Sequence, residues 1–180
     1  MHNLAKLQAI AKRRTVPAHI QLDRLDVTPT KIYLIISGVM RCYIISESGK
    51  ECNKNFFFPF SFAASLKALI SKKPSEIIYE TLTETELYEI NFQALMDMCK
   101  TDLEISNLYS RLLEYAFINY EKRQLELISM DATQRYSRLL QDVPNIDALV
   151  PQYHIASYLS ITPVQLSRIR KKLKNNTKAE

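Results

Sequence analysis

Residues 152–174 read QYHIASYLSITPVQLSRIRKKLK, and the spacing of their apolar side chains predicts two short helices joined by a tight turn. Ile155, Ala156 and Leu159 recur at intervals of one, three and four, so they share one face of a helix over about 152–159. Ser160-Ile161-Thr162 forms the turn. Thr162 is a good N-cap, because its hydroxyl can accept a backbone N–H from the first turn. Pro163 takes the first helical position, where its missing N–H costs nothing. Gln165, three residues after the cap, completes a capping box. Leu166, Ile169 and Leu173 then make a buried stripe, which leaves Val164, Gln165, Ser167, Arg168, Lys171, Lys172 and Lys174 facing outward. This is the pattern of a helix-turn-helix: a small residue, Ala156, where the helices cross, and a second helix able to enter the DNA major groove.

An ordinary helical hairpin would show the same apolar spacing. Charge separates the two readings. Residues 151–180 carry six Lys/Arg and one acid, a net +5, while residues 1–150 are neutral with 18 of each sign. The whole excess of the chain therefore sits on this element. A solvated face has no need of that asymmetry, whereas a phosphate-binding helix does. The expected DNA-binding set is His154, Thr162, Val164, Gln165, Ser167, Arg168, Lys171, Lys172 and Lys174.

The 180 residues allow one sizeable domain and one small one, and 47% hydrophobic content is ample for a core. No run of 18 apolar residues exists, so no membrane span is expected. The N-terminus, MHNLAKLQAIAKRR, places its basic residues after the apolar ones, lacks a cleavage site, and reads as a short amphipathic helix rather than a secretory signal. Three widely spaced cysteines, Cys42, Cys52 and Cys99, suit a reducing cytoplasm. With no C-x-x-C and no Cys/His cluster, neither a zinc nor an iron–sulfur site is expected.

Residues 19–90 read mostly as short strands: 19–27, 31–37, 39–46, 50–58, 76–82 and 86–90. Gly38 and Gly49, the two glycines of the chain, lie between strand candidates. Residues 60–70 have helical spacing, and Ser71-Lys-Lys-Pro74 breaks them. A helix over 91–99 opens on Asn91. Strands about ten residues apart with turns between them predict an antiparallel barrel or jelly roll. Thr101-Asp-Leu-Glu104 reads as a capping box for a long helix to about Ile128, apolar on more than one face. Such a helix is buried between two bodies: the β domain and the same helix of a second copy of the chain, the alternative being the core of a monomer. Leu108, Leu112, Tyr115 and Asn119 are its expected dimer residues. A further helix over 132–141 starts from Ser129 or Asp131, and 145–150 links it to the helix-turn-helix.

A β domain, a long helix and a helix-turn-helix, in that order, resemble the Crp/Fnr family of bacterial transcription regulators. The specific pieces are YLIISGVMRCYI (33–44) with the SGKE turn (48–51), TETELYEINFQAL (83–95) and HIASYLSITPVQLSRIRKKL (154–173). The last looks most like the Bacteroidetes-type subgroup, whose recognition helix opens with Thr-Pro. The resemblance implies an α+β fold with three parts: an effector β-roll over 1–100, a dimerisation helix over 101–130 and a DNA-binding domain over 131–180. It also implies a homodimer on pseudo-palindromic double-stranded DNA, RNA polymerase as a further partner, and a cytoplasmic location. Base readers in the family occupy the first, second and sixth positions of the recognition helix, here Pro163, Val164 and Arg168.

The departures from the family concern the effector. Members that bind cyclic AMP hold the ribose with a Glu and the phosphate with an Arg. Those positions fall here on Ser65 and Ser75, with Glu76 next to the latter. A phosphate needs a charge-assisted donor, so cyclic AMP is not the expected ligand and no cofactor is expected. Phe60, Phe62, Ser65, Ser75 and Tyr79 are the candidate effector pocket. The chain also ends soon after Lys174, which leaves no room for the β-wing of many relatives. Against an enzyme of the cupin kind, which needs a His-rich metal triad, only His19 of the three histidines (His2, His19, His154) could lie in the barrel. No catalytic residue is expected.

Overall fold

The computed structural model describes residues 6, 7 and 9–176. Among these lie eight strands and seven helices. The strands are β1 (Ala11–Val16), β2 (Gln21–Asp23), β3 (Lys31–Ser37), β4 (Met40–Ile45), β5 (Glu51–Phe57), β6 (Phe62–Ala63), β7 (Ile78–Thr81) and β8 (Thr85–Asn91). They form two four-stranded sheets, in orders β1-β8-β3-β6 and β2-β7-β4-β5. The helices are α1 (Leu66–Ser71), α2 (Phe92–Thr101), α3 (Leu103–Ser129), α4 (Ala132–Asp142), α5 (Ile146–Leu149), α6 (Gln152–Tyr158) and α7 (Pro163–Asn176). The expected α+β architecture of β roll, long helix and helix-turn-helix is what the chain adopts.

The chain divides into two compact units. The first comprises residues 1–44 and 55–119; the second comprises 45–54 and 120–180. The long helix α3 contributes to both, and the turn between β4 and β5 belongs with the C-terminal helices.

The first unit is built on strand alternation. In β3, Tyr33 and Ile35 join Val16, Met40, Cys42, Ala63, Tyr79 and Leu87 in a core that draws on both sheets. Ile32 points the other way and packs with Leu7, Leu69, Ile90, Leu95 and Ile105, from the helical side. Gly38 makes the β3–β4 turn at φ +87°, and a Cβ there would lie 2.4 Å from the Glu84 carbonyl oxygen. Only glycine satisfies both demands. Arg41 and Glu80 are cross-strand neighbours on β4 and β7; both are buried, with Nη2 to Oε2 at 2.8 Å.

Several expectations are corrected. Residues 11–14, expected to be helical, instead lie in β1, which pairs with β8 from Ala11↔Ile90 to Val16↔Thr85. The open edge of β8, with the ion pairs Arg13–Glu86 and Arg14–Glu89, outweighs the local helical spacing. The rest of the expected N-terminal helix lies largely outside the described residues, apart from a helical Lys6 and Leu7. The strand expected over 19–27 shrinks to three residues because His19 and Asp26 take left-handed backbone angles of +62° and +59°. Residues 60–70 are not one helix. Phe60 is also left-handed, β6 pairs with β3, and only Leu66–Ser71 is helical. Thr101 does not cap the long helix but ends α2; the Asp102 carboxylate accepts from the N–H groups of Glu104 and Ile105 instead. Lys6 binds that same carboxylate at 2.7 Å and holds it well below the usual carboxylate range.

Candidate nucleic-acid interface

The helix-turn-helix forms as its spacing predicts. Thr162 and Gln165 make the capping box: Gln165 N–H donates to Thr162 Oγ1 (3.2 Å), and Thr162 N–H donates to Gln165 Oε1 (2.9 Å). Ser160 turns the chain in the left-handed region, and Ile161 N–H reaches back to the Ala156 carbonyl at 3.0 Å. Ile155, Ala156, Leu159 and Leu166 are wholly buried and hold α6 against α7. Two arginines then fasten the end of α6. Arg123 donates to the Tyr158 carbonyl and lies 3.9 Å over the Tyr158 ring; Arg135 donates to the Leu159 carbonyl at 3.0 Å.

This frame leaves Val164, Gln165, Ser167, Arg168, Lys171, Lys172 and Lys174 exposed, together with Thr162 at the turn. Arg168 follows Val164 by four residues, and Lys171 and Lys172 follow Arg168 by three and four, so they share one face of the helix. Gln165 is committed through Oε1 to the cap, which restrains its amide.

Two charges of the C-terminal segment change role. Arg170 does not join the exposed stripe; it pairs with Asp147 at 2.9 Å, and Asp147 also accepts from the Tyr136 hydroxyl at 2.7 Å. Burial, reinforced by that carboxylate, raises the Tyr136 phenol above its ordinary pKa. His154 does not belong to the exposed set either. It is 4% exposed and its Nδ1 lies 3.1 Å from Nδ2 of Asn53, in β5. Its helix phase, beside Ile155 and Ala156, turns it inward. Tyr153, one residue earlier, is the exposed side chain there. The sequence carries no signal for Asn53, because the pairing spans 101 residues.

The expected effector residues divide. Ser65 and Ser75 do meet, at 2.8 Å, and both are buried. Ser75 also donates to the Ile77 carbonyl. The Tyr79 hydroxyl donates to the Ala64 carbonyl at 2.6 Å and its ring stacks on Phe57. Polar groups that would face a ligand are thus engaged with one another. Glu76 pairs with Lys67, which lowers its carboxyl pKa. Asp23, 5% exposed, accepts the Tyr33 hydroxyl at 2.8 Å, and burial pushes its carboxyl pKa upward. Phe60 is not a pocket residue: its left-handed backbone turns the ring to solvent, 82% exposed. Phe62 instead helps line an apolar cavity of about 20 Å³ with Leu7, Ile32, Ile90, Leu95, Leu108, Tyr109 and Leu112.

Leu108 and Leu112 therefore face the first unit from α3, while Tyr115 and Asn119 are exposed. Four further apolar residues stand out on the opposite side of that helix: Phe117, Ile118, Leu125 and Ile128. Among the described residues no group of three or more His, Cys, Asp or Glu could hold a metal, and no helix is long and apolar enough to cross a membrane.

No family model matches the chain. The CRP-like protein Clp of Xanthomonas campestris is 25% identical over 147 residues, 78% of this chain, and Clp of Xanthomonas oryzae is 24% identical over the same span. The chain matches 63% of the length of these relatives. Among solved structures, FixK2 from Bradyrhizobium japonicum superposes with a TM-score of 0.82 at 16% identity, over 93% of this chain and 86% of its own. The c-di-GMP-responsive global regulator CLP of Xanthomonas campestris gives 0.76 at 20% identity, over 98% and 92%. A Eubacterium rectale chain assigned to the crp/fnr family gives 0.74 at 16% identity, over 98% and 84%. The two sheets, the long helix and the capped helix-turn-helix give the chain the fold of these solved structures, and over 147 residues its sequence is similar to that of the CRP-like Clp proteins.

Proposed function

We propose that the chain is a homodimeric DNA-binding transcription regulator that reads a pseudo-palindromic site through α7. The carrying observation is the stripe Val164, Arg168, Lys171 and Lys172, exposed on a helix whose opposite face is locked by Leu166. Arg168 is the strong base reader, bidentate to a guanine, and Val164 meets a thymine methyl. Lys171, Lys172 and Lys174 lie farther along the helix and hold phosphates. Tyr153 offers the exposed hydroxyl that buried His154 does not. The test is a binding selection on random DNA. Arg168→Ala should cost roughly 1–3 kcal/mol per half-site and flatten the preference at one base position. Lys172→Ala should weaken all sequences alike and lower the salt slope by about one per half-site. A preference unchanged by Arg168→Ala, or altered by Lys172→Ala, overturns these roles. A regulator that has lost DNA binding would show no steep loss of heparin retention with salt.

The dimer seam is the outer face of α3. Ile118, Glu121, Leu125 and Ile128 recur at three, four and three, the spacing of a two-helix seam. Phe117 lies beside them. Leu108, Leu112, Tyr115 and Asn119, at spacings of four, three and four, form a second stripe of α3, whose first two residues pack on the first unit. Sedimentation at micromolar concentration should give a species of twice the 20.9 kDa chain mass, and Leu125→Glu with Ile128→Glu should return it to the monomer. A wild-type monomer refutes the seam.

The effector domain does not take cyclic AMP. Ser65 and Ser75 satisfy each other where a cyclic nucleotide would need a carboxylate and a guanidinium, and buried Asp23 adds an unfavourable charge. Calorimetry should detect no micromolar binding of cyclic AMP; such binding would refute this. RNA polymerase as a partner rests on the family alone. A cytoplasmic location is supported by Cys42, Cys52 and Cys99, none of which is in a disulfide.

A further inference from the structure

The second unit contains a piece that comes from far away in sequence, the β4–β5 turn and its flanks, residues 45–54. Ser46, Ser48, Gly49 and Lys50 tie this turn together: Ser46 N–H donates to the Lys50 carbonyl at 2.9 Å, and Lys50 N–H to Ser46 Oγ at 3.1 Å. The start of β5, just after the turn, engages α6 by four polar contacts. Asn53 N–H donates to Ser157 Oγ at 2.9 Å, and Ser157 Oγ donates to the Glu51 carbonyl at 3.1 Å. Asn53 Nδ2 lies 3.3 Å from the His154 carbonyl and 3.1 Å from His154 Nδ1. Asn53 and His154 are both more than nine-tenths buried.

The seven-residue helix α6 is too short to hold its own shape, since isolated helices of this length are marginal in water. One side of it is packed on α7 through Ile155, Ala156 and Leu159. His154 and Ser157 are bonded by Glu51 and Asn53 at the start of β5. The placement of α6 decides where α7 presents Arg168.

We infer that Asn53 is a positioning residue for DNA reading, fastening the start of β5 to α6 through His154 and Ser157 so that the recognition helix is held ready. This rests on the reading of α7 as the DNA-reading element. Its action is on pre-organisation, so it affects every DNA sequence equally and leaves base preference alone.

The experiment uses the full chain with Asn53→Ala, Ser157→Ala and Ser157→Thr, read by amide hydrogen exchange over 154–159 without DNA and by affinity for a selected and a shuffled duplex. Both alanine variants should exchange about tenfold faster over 154–159 and lose about tenfold in affinity for both duplexes, the order expected for an orphaned buried partner. The ratio between the two duplexes should stay at the wild-type value. Ser157→Thr keeps the hydroxyl and should restore both readouts. Wild-type exchange and affinity in the alanine variants overturns the inference. So does faster exchange spread evenly over α4, α6 and α7, which would mark a merely structural role. A wild-type chain that binds no DNA refutes the proposed function instead, and exchange over 154–159 then decides the fastening by itself.

Discussion

Replacing Arg41 by alanine is expected to destabilise the β roll by about 3–5 kcal/mol. The guanidinium is 4% exposed, bonds the Glu80 carboxylate at 2.8 Å, and lies 3.9 Å over the Tyr43 ring. Truncation leaves the Glu80 carboxylate buried, with the surface imidazole of His19 at 3.7 Å. The uncompensated charge, rather than the lost attraction, is the large effect. Replacing both partners with leucine or methionine should therefore cost far less than either single change, because the desolvation of two ions is removed along with their pairing. Urea denaturation of the four proteins checks this. A double variant as unstable as the sum of the two singles would show that the pair is not coupled.

Leu166→Ala is expected to cost about 2–5 kcal/mol, as for other fully buried leucines. The side chain is the contact through which α7 is seated on Ile155, Ala156 and Leu159. The loss falls on the second unit, and DNA binding should disappear with it. Arg168→Ala is the informative partner of this variant. Its side chain is exposed, so stability should stay within about 0.5 kcal/mol of wild type while base preference is lost. Thermal melts alongside DNA titrations separate the two. Equal destabilisation by both variants would mean that Arg168 is part of the packing and not of the reading face.

The recognition element was readable in the sequence because every determinant of it is local. Thr162, Pro163 and Gln165 specify the start of α7 within four residues, and Leu166, Ile169 and Leu173 specify its inner face by spacing alone. Asn91 and Asp131 cap α2 and α4 for the same reason, through bonds to N–H groups three residues on. Even Ser65 and Ser75 could be brought together from the sequence, since the family pattern already places those two positions at one site.

What failed was non-local. The KRR segment of β1 has no strand period; it is extended because β8 offers an unpaired edge some 70 residues later. Leu108 and Leu112 are as apolar as Ile118 and Leu125, and spacing within α3 does not say which of two sticky faces the β roll takes. Packing against Ile90 and Leu95 decides it, and so exposes the other face. His154 has the polarity of a surface residue, yet Asn53 provides a buried partner that no local rule anticipates. The sequence by itself determined the helix caps, the strand-rich first half and the charged outer face of α7, because those depend on neighbours within a turn. Only the tertiary structure decided which faces are free, because burial is a property of what the rest of the chain brings alongside.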